Sequence, residues 1–137
     1  MQYPCRHTLF SVLVTVLVAG LSGCHSVTPD EAVKASLQSA LDALEREDYD
    51  AYLDMVDFGQ PLDSAQMAVM RKVVIQHVAK HRAERAEVIG AEVFDARMLS
   101  DSVYMVYYRY LYADSISDVS SQKMVRHGKD WKLRVRN

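Results

Sequence analysis

Val103-Tyr104-Met105-Val106-Tyr107-Tyr108-Arg109-Tyr110-Leu111-Tyr112-Ala113 is the stretch that decides the fold. Aromatic and β-branched residues dominate it and neither glycine nor proline interrupts it, so it reads as a strand in a half-buried sheet. Alternation places Tyr104, Val106, Tyr108, Tyr110 and Tyr112 on one face and Val103, Met105, Tyr107, Arg109 and Leu111 on the other. Both faces are apolar enough to need cover. Helices suit one; a pocket lip, a partner or a second copy of the chain suits the other.

The period of two continues on both sides. Upstream, Glu87 to Phe94 reads as a strand, joined through a turn at Leu99-Ser100-Asp101-Ser102. Downstream, Asp114 to Asp118 connects to Val119–Arg126, and Trp131–Arg136 closes the chain. Between those last two strands lies His127-Gly128-Lys129-Asp130, in which Gly128 supplies the positive φ of a tight hairpin turn. Trp131, Leu133 and Val135 point to one side of the final strand, and Lys132, Arg134 and Arg136 to the other.

Ahead of the strands the period is helical. Thr28 caps a helix, Pro29 fits its first position and Glu31 completes a capping box. Ala32, Val33, Ala35, Leu37, Ala40, Leu41 and Leu44 then form an apolar stripe running to about Arg46. Glu47-Asp48-Tyr49-Asp50 opens a shorter helix carrying Tyr52, Leu53 and Val56, which Phe58-Gly59-Gln60-Pro61 ends. Asp63 or Ser64 caps a third helix over 65–84, with Met67, Met70, Val74 and Val78 on one face. Helices first and a meander afterwards predict an α+β domain: two to three N-terminal helices packed on a curved four-stranded antiparallel sheet.

The phrases Thr28-Pro29-Asp30-Glu31-Ala32-Val33, leading to Leu41, and Glu47-Asp48-Tyr49-Asp50-Ala51-Tyr52 resemble small bacterial lipoproteins of the nuclear transport factor 2-like, or cystatin-like, superfamily. The closing Gly128-Lys129-Asp130-Trp131-Lys132-Leu133 is similar to the hairpin that ends many of these domains. The resemblance covers about Thr28 to Val135. It implies a cone in which a long helix and a shorter one close a bent sheet around a pocket. Some members are ketosteroid isomerases and dehydratases, and many others only bind or dimerise. Fold is therefore a poor guide to function.

The N-terminus gives an address. A basic start around Arg6 precedes the uncharged apolar run from Thr8 to Gly20, which is too short to span a bilayer at about 20 residues. Leu21-Ser22-Gly23-Cys24 follows and resembles the lipobox of bacterial lipoproteins. There, small residues admit a peptidase and the cysteine thiol is alkylated. Residues 1–23 are thus expected to be a removed signal peptide, 24–28 a lipidated tether and 29–137 the domain.

Palmitate or a similar chain on Cys24 would hold the protein at the cell envelope, and two or three acyl chains anchor stably. Cys5 falls in the leader, so the mature chain has no pair for a disulfide. Four tether residues reach under roughly 20 Å, which keeps the domain near the headgroups. His25 after the cysteine is similar to the outer-membrane sorting class, with the domain facing the periplasm.

Charge and motifs exclude more than they assign. The net charge is −2, and −3 once Arg6, the one charged side chain before Cys24, is lost, which argues against nucleic acid. Acidic residues concentrate between Asp30 and Asp63 and basic ones between Lys123 and Arg136, two poles that can satisfy each other. Serine nucleophile elbows, phosphate-binding glycine loops and paired cysteines are absent, and no cofactor is implied.

The candidate ligand or partner surface is Tyr104, Tyr107, Tyr108, Arg109, Tyr110 and Tyr112, which could also carry a homodimer through the sheet. Arg109 must find a carboxylate, Glu92 or Asp95, or else anchor an anionic ligand. His77 and His81, four apart, could share a metal but lack a third ligand, so no metal site is expected. An isomerase-like alternative needs a pocket carboxylate, from Glu92, Asp95 or Asp114, beside a tyrosine donor. The reading preferred from sequence is a non-catalytic, lipid-anchored envelope module that binds a protein partner or a small ligand.

Overall fold

The computed structural model describes residues 26–135. The expected leader and Cys24 lie outside these residues. In chain order the elements are α1 (Pro29–Glu45), α2 (Tyr49–Asp54), β1 (Val56–Asp57), α3 (Ser64–Glu84), β2 (Val88–Ser100), β3 (Val103–Tyr112), β4 (Ser117–His127) and β5 (Asp130–Arg134). The strands form one sheet in the order β1-β5-β4-β3-β2.

The helix starts follow the capping chemistry. Thr28 Oγ1 accepts the Glu31 N–H while Glu31 accepts the Thr28 N–H, and Asp63 and Gln66 repeat the exchange at α3. Asp48 caps α2 through the Ala51 N–H. Each cap satisfies donors that the first helical turn leaves free.

The sheet corrects the sequence reading in two respects. It has five strands rather than four, and it is mixed rather than antiparallel, because β1 pairs parallel to β5 with Val56 opposite Leu133 and Asp57 opposite Arg134. Two residues cannot display an alternation, and this short strand sits where the sequence suggested the end of a helix. The strand β2 also runs to Ser100, past its expected end at Phe94. Register shifts at Val93/Asp95 and Met98/Ser100 break its period of two, as bulges do.

The core lies between α1 and one face of the sheet. Val33, Leu37, Ala40 and Leu41 of α1 pack against Tyr104, Val106, Met124, Trp131 and Leu133. Trp131 meets Tyr104 edge to face with centroids 5.1 Å apart. Tyr104 donates to Asp30 in the first turn of α1 at 2.8 Å, which ties the start of the helix to the sheet. That donation and burial both push the Tyr104 hydroxyl pKa up.

The third helix is different. Met67, Met70, Val74 and Val78 form the expected face, but they are only half-buried, and α3 has no fully buried residue. Ion pairs at its margins hold it instead: Arg71 to Asp50 at 3.1 Å and Arg82 to Glu47 at 2.6 Å. Just beyond its end, Arg85 reaches Asp118 at 2.9 Å. A helix kept off the sheet in this way leaves a space beneath it.

Candidate binding cleft

That space is a cleft of about 980 Å³. Leu41 and Leu44 on α1, Val78 on α3, and Val88 and Ala91 on β2 give it apolar walls. Tyr108 and Tyr110 of β3 form an aromatic corner, their rings 5.6 Å apart and nearly perpendicular at 85°. Its polar lining includes Glu45, Glu47, His77, His81, Arg82, Glu87 and Asp118, with all but His81 and Asp118 exposed at the margin. Apolar walls with a few polar groups are what small-molecule sites share.

One polar chain passes behind the cleft. Tyr112 Oη lies 3.2 Å from Asp118 Oδ2 and 3.0 Å from His81 Nε2. Asp118 also pairs with Arg85, and an ionised carboxylate can only accept. Tyr112 therefore donates to Asp118, and its oxygen accepts a hydrogen bond from the Nε2–H of His81. In neutral His81 this fixes the tautomer and leaves Nδ1 as an acceptor. Burial, the neighbouring Asp118 charge and the donation to it raise the Tyr112 pKa, while Arg85 pulls it down. Burial is also the main reason that the Tyr110 hydroxyl stays protonated far above its ordinary range.

The alternation of β3 divides the six residues singled out from sequence. Tyr108 and Tyr110 line the cleft, and Tyr112 stands behind it. Tyr104 lies in the core against Trp131. Tyr107 and Arg109 occupy the opposite face of the sheet.

On that face the Arg109 Nε is 3.0 Å from Glu92 Oε2, and its guanidinium sits 5.0 Å from the centre of the Phe94 ring. The contact with Glu92 is an ion pair without hydrogen-bond alignment. Arg109 thus does not reach into the cone as an anion anchor. Its side chain is engaged on the far side.

His77 and His81 both line the cleft, and among the described residues no group of three His, Cys, Asp or Glu side chains is placed to hold a metal ion. The carboxylates considered for acid-base work lie elsewhere. Glu92 faces Arg109, Asp95 pairs with Arg97 at 3.4 Å, and Asp114 accepts the Ile116 N–H in a turn. The strand carboxylate next to the tyrosines is Asp118, opposite Tyr110 in the register of β3 and β4. Its signal in the sequence was position alone, since the expected loop over 114–118 hid its place in a strand. Its Oδ2 already serves Arg85 and Tyr112.

The architecture can be compared with solved structures. A candidate NTF2-like transpeptidase from Campylobacter jejuni superposes with a TM-score of 0.59, covering 73% of this chain and 94% of that one at 11% identity. The fold is NTF2-like. The likeness at 11% identity is one of architecture, and it leaves the chemistry of this nuclear transport factor 2-like cone to its own residues.

An NTF-2 like protein of unknown function from Shewanella oneidensis matches with a TM-score of 0.42, 15% identity and coverage of 72% and 88% of the two chains. A SEC-C motif protein from Rhodopseudomonas palustris matches with a TM-score of 0.47, 12% identity and coverage of 74% and 73%. No protein-family model matches the chain, and no curated protein sequence does.

Proposed function

We propose that this chain is a non-catalytic binding module of the bacterial cell envelope, anchored by a lipid on Cys24, and that its ligand lies in the cleft between α3 and the sheet. The observation that carries the binding reading is the cleft itself. Its volume of about 980 Å³ is at the upper end of the range of small-molecule sites, roughly 300–1,000 Å³. Tyr108 and Tyr110 offer it large, rigid apolar surface at low entropic cost. A non-catalytic role is favoured because Asp118, the strand carboxylate opposite Tyr110, is tied up by Arg85 and Tyr112, while Glu45, Glu47 and Glu87 of the lining are exposed rather than enclosed as a base with a raised pKa would be.

The anchor rests on Leu21-Ser22-Gly23-Cys24 and on the short tether to Pro29. In a bacterium with two membranes, His25 favours the outer one, with the domain facing the periplasm.

Two measurements test this. Nile red, a neutral apolar dye, is expected to bind the purified chain one to one, and Val78→Trp, which fills the cleft, should abolish that binding while leaving thermal unfolding cooperative. Equal binding by both chains would remove the cleft from consideration. For the anchor, Cys24→Ala should release the protein from membrane fractions or arrest its processing, and unchanged membrane fractionation would count against lipidation.

A further inference from the structure

We infer that the cleft takes an organic cation: an apolar body carrying an amine whose charged nitrogen lies between the Tyr108 and Tyr110 rings and the Glu45 and Glu87 carboxylates. This rests on the cleft reading above and adds the charge and hydrogen-bonding character of the ligand.

Three features of the lining converge on that chemistry. The first is charge. Around the cleft Arg82 faces four carboxylates, Glu45, Glu47, Glu87 and Asp118, and it is engaged by Glu47 at 2.6 Å. Arg85 neutralises Asp118 from outside the lining. Glu45 and Glu87 have no ion-pair partner among the described residues. Glu45 is also the last residue of α1, beside the helix's negative end, which the exposed C-cap residue Arg46 offsets only in part.

The second feature is aromatic. Two tyrosine rings at right angles form a corner, and the faces of such rings attract ammonium groups. The third is the fixed tautomer of His81. With Nε2 donating to Tyr112, neutral His81 has an acceptor to offer, not a donor. An amine supplies N–H donors and positive charge together, whereas a carboxylate or phosphate ligand would meet acceptors and unpaired negative charge. Leu41, Leu44 and Val78 then accommodate the apolar body.

The test uses one scaffold in three charge states: 2-naphthylmethylamine, 2-naphthylmethanol and 2-naphthoate, titrated calorimetrically into the purified full chain at neutral pH. The amine is expected to bind about tenfold more tightly than the alcohol, with 2-naphthoate weakest. In Glu45→Gln/Glu87→Gln the preference for the amine should fall below about threefold while the alcohol binds as before.

Equal binding of amine and alcohol to the original chain, or tightest binding of the carboxylate, would overturn the cation assignment and leave the cleft standing. An amine preference that survives in the double variant, or in Val78→Trp, would also overturn it. Failure of all three compounds to bind would remove the cleft reading itself.

Discussion

The Gln38 side-chain amide lies against the edge strand as a further strand's peptide group would, donating to the Ala91 carbonyl at 2.9 Å and accepting the Val93 N–H at 3.1 Å. Among the described residues β3 is the one neighbour of β2 in the sheet, and an unpaired edge is a template for another chain. Gln38 blocks that edge where the strand crosses α1. A third contact, to Asp42 Oδ1 at 3.0 Å, steadies the amide.

Replacing Gln38 by Met keeps the volume and removes both edge contacts. The change should cost about 1–3 kcal/mol, since two half-buried backbone groups lose their partners. Urea unfolding measures the loss. Because Ile89, Phe94, Met98 and Leu99 of the same strand are exposed, the variant should also self-associate at concentrations where the original chain is monodisperse by light scattering. Unaltered stability together with unaltered scattering would show that the edge needs no guard.

A buried carboxylate governs the acid limb of stability. Asp57 is 8% exposed, and its oxygens accept the Gly59 N–H at 2.7 Å, His127 Nε2 at 3.0 Å and Arg134 at 2.9 Å. The hydrogen bond from His127 is the largest influence holding its pKa below the ordinary carboxylate value, with Gly59 and Arg134 assisting against the cost of burial. A pKa depressed on folding contributes stability that is full above the unfolded value of about 3.9 and is lost as pH falls through the lower folded value.

Asp57→Asn should therefore lower stability at neutral pH by about 2 kcal/mol and flatten the fall in stability below about pH 4. Thermal unfolding as a function of pH reads both effects. A parallel downward shift of the whole curve would show that Asp57 acts through packing alone. The loss should be felt at β1, which Asp57 joins to β5.

Much of this fold was legible because its signals are local. Capping residues declare themselves within four positions, and the alternation of Tyr104, Val106, Tyr108, Tyr110 and Tyr112 sorts one face from the other without any partner being known. The two-residue strand Val56–Asp57 was not legible, because its existence depends on a parallel pairing with Leu133 and Arg134 far along the chain. The extent of β2 was hidden for a related reason: each bulge moves the period by one residue.

The cleft was the least readable part. The apolar face of α3 predicts contact, yet Met67, Met70, Val74 and Val78 are only half covered, and the cluster of Tyr112, His81, Asp118 and Arg85 joins α3 and its exit to two strands. The spacing of His77 and His81 placed both on nearly one side of α3 without a third ligand for a metal, and nothing in the sequence pointed to the tyrosine hydroxyl that the structure gives His81 as its partner.

The Tyr112 hydroxyl offers a test of that cluster. Tyr112→Phe keeps the ring, which is 3% exposed, and deletes the group bridging His81 and Asp118. A loss of about 1–2 kcal/mol is expected, because a hydrogen bond to a charged acceptor disappears from a mostly buried site. In the double variant with His81→Ala, the combined loss should be smaller than the sum of the two single losses, since both changes remove the same bond. Strict additivity would mean that the 3.0 Å contact carries no coupling.

The way α3 is fastened predicts how it opens. Its ion pairs with α2 and the α1–α2 connection, Arg71–Asp50 and Arg82–Glu47, join side chains that are 45–79% exposed, so each is worth only about 0.5 kcal/mol and is screened by salt. The first helix, by contrast, is held by buried Val33, Leu37, Ala40 and Leu41, and hydrophobic burial does not weaken with added salt. Amide hydrogen exchange should therefore be faster in α3 than in α1, and raising sodium chloride from about 0.05 to 0.5 M should speed exchange in α3 selectively. Arg82→Ala should reproduce the effect at low salt, most strongly in the last turns of the helix. If α3 instead exchanges only with global unfolding, at the rate of α1 and without salt dependence, the helix is part of the rigid core and the cleft beneath it does not breathe by lifting that helix.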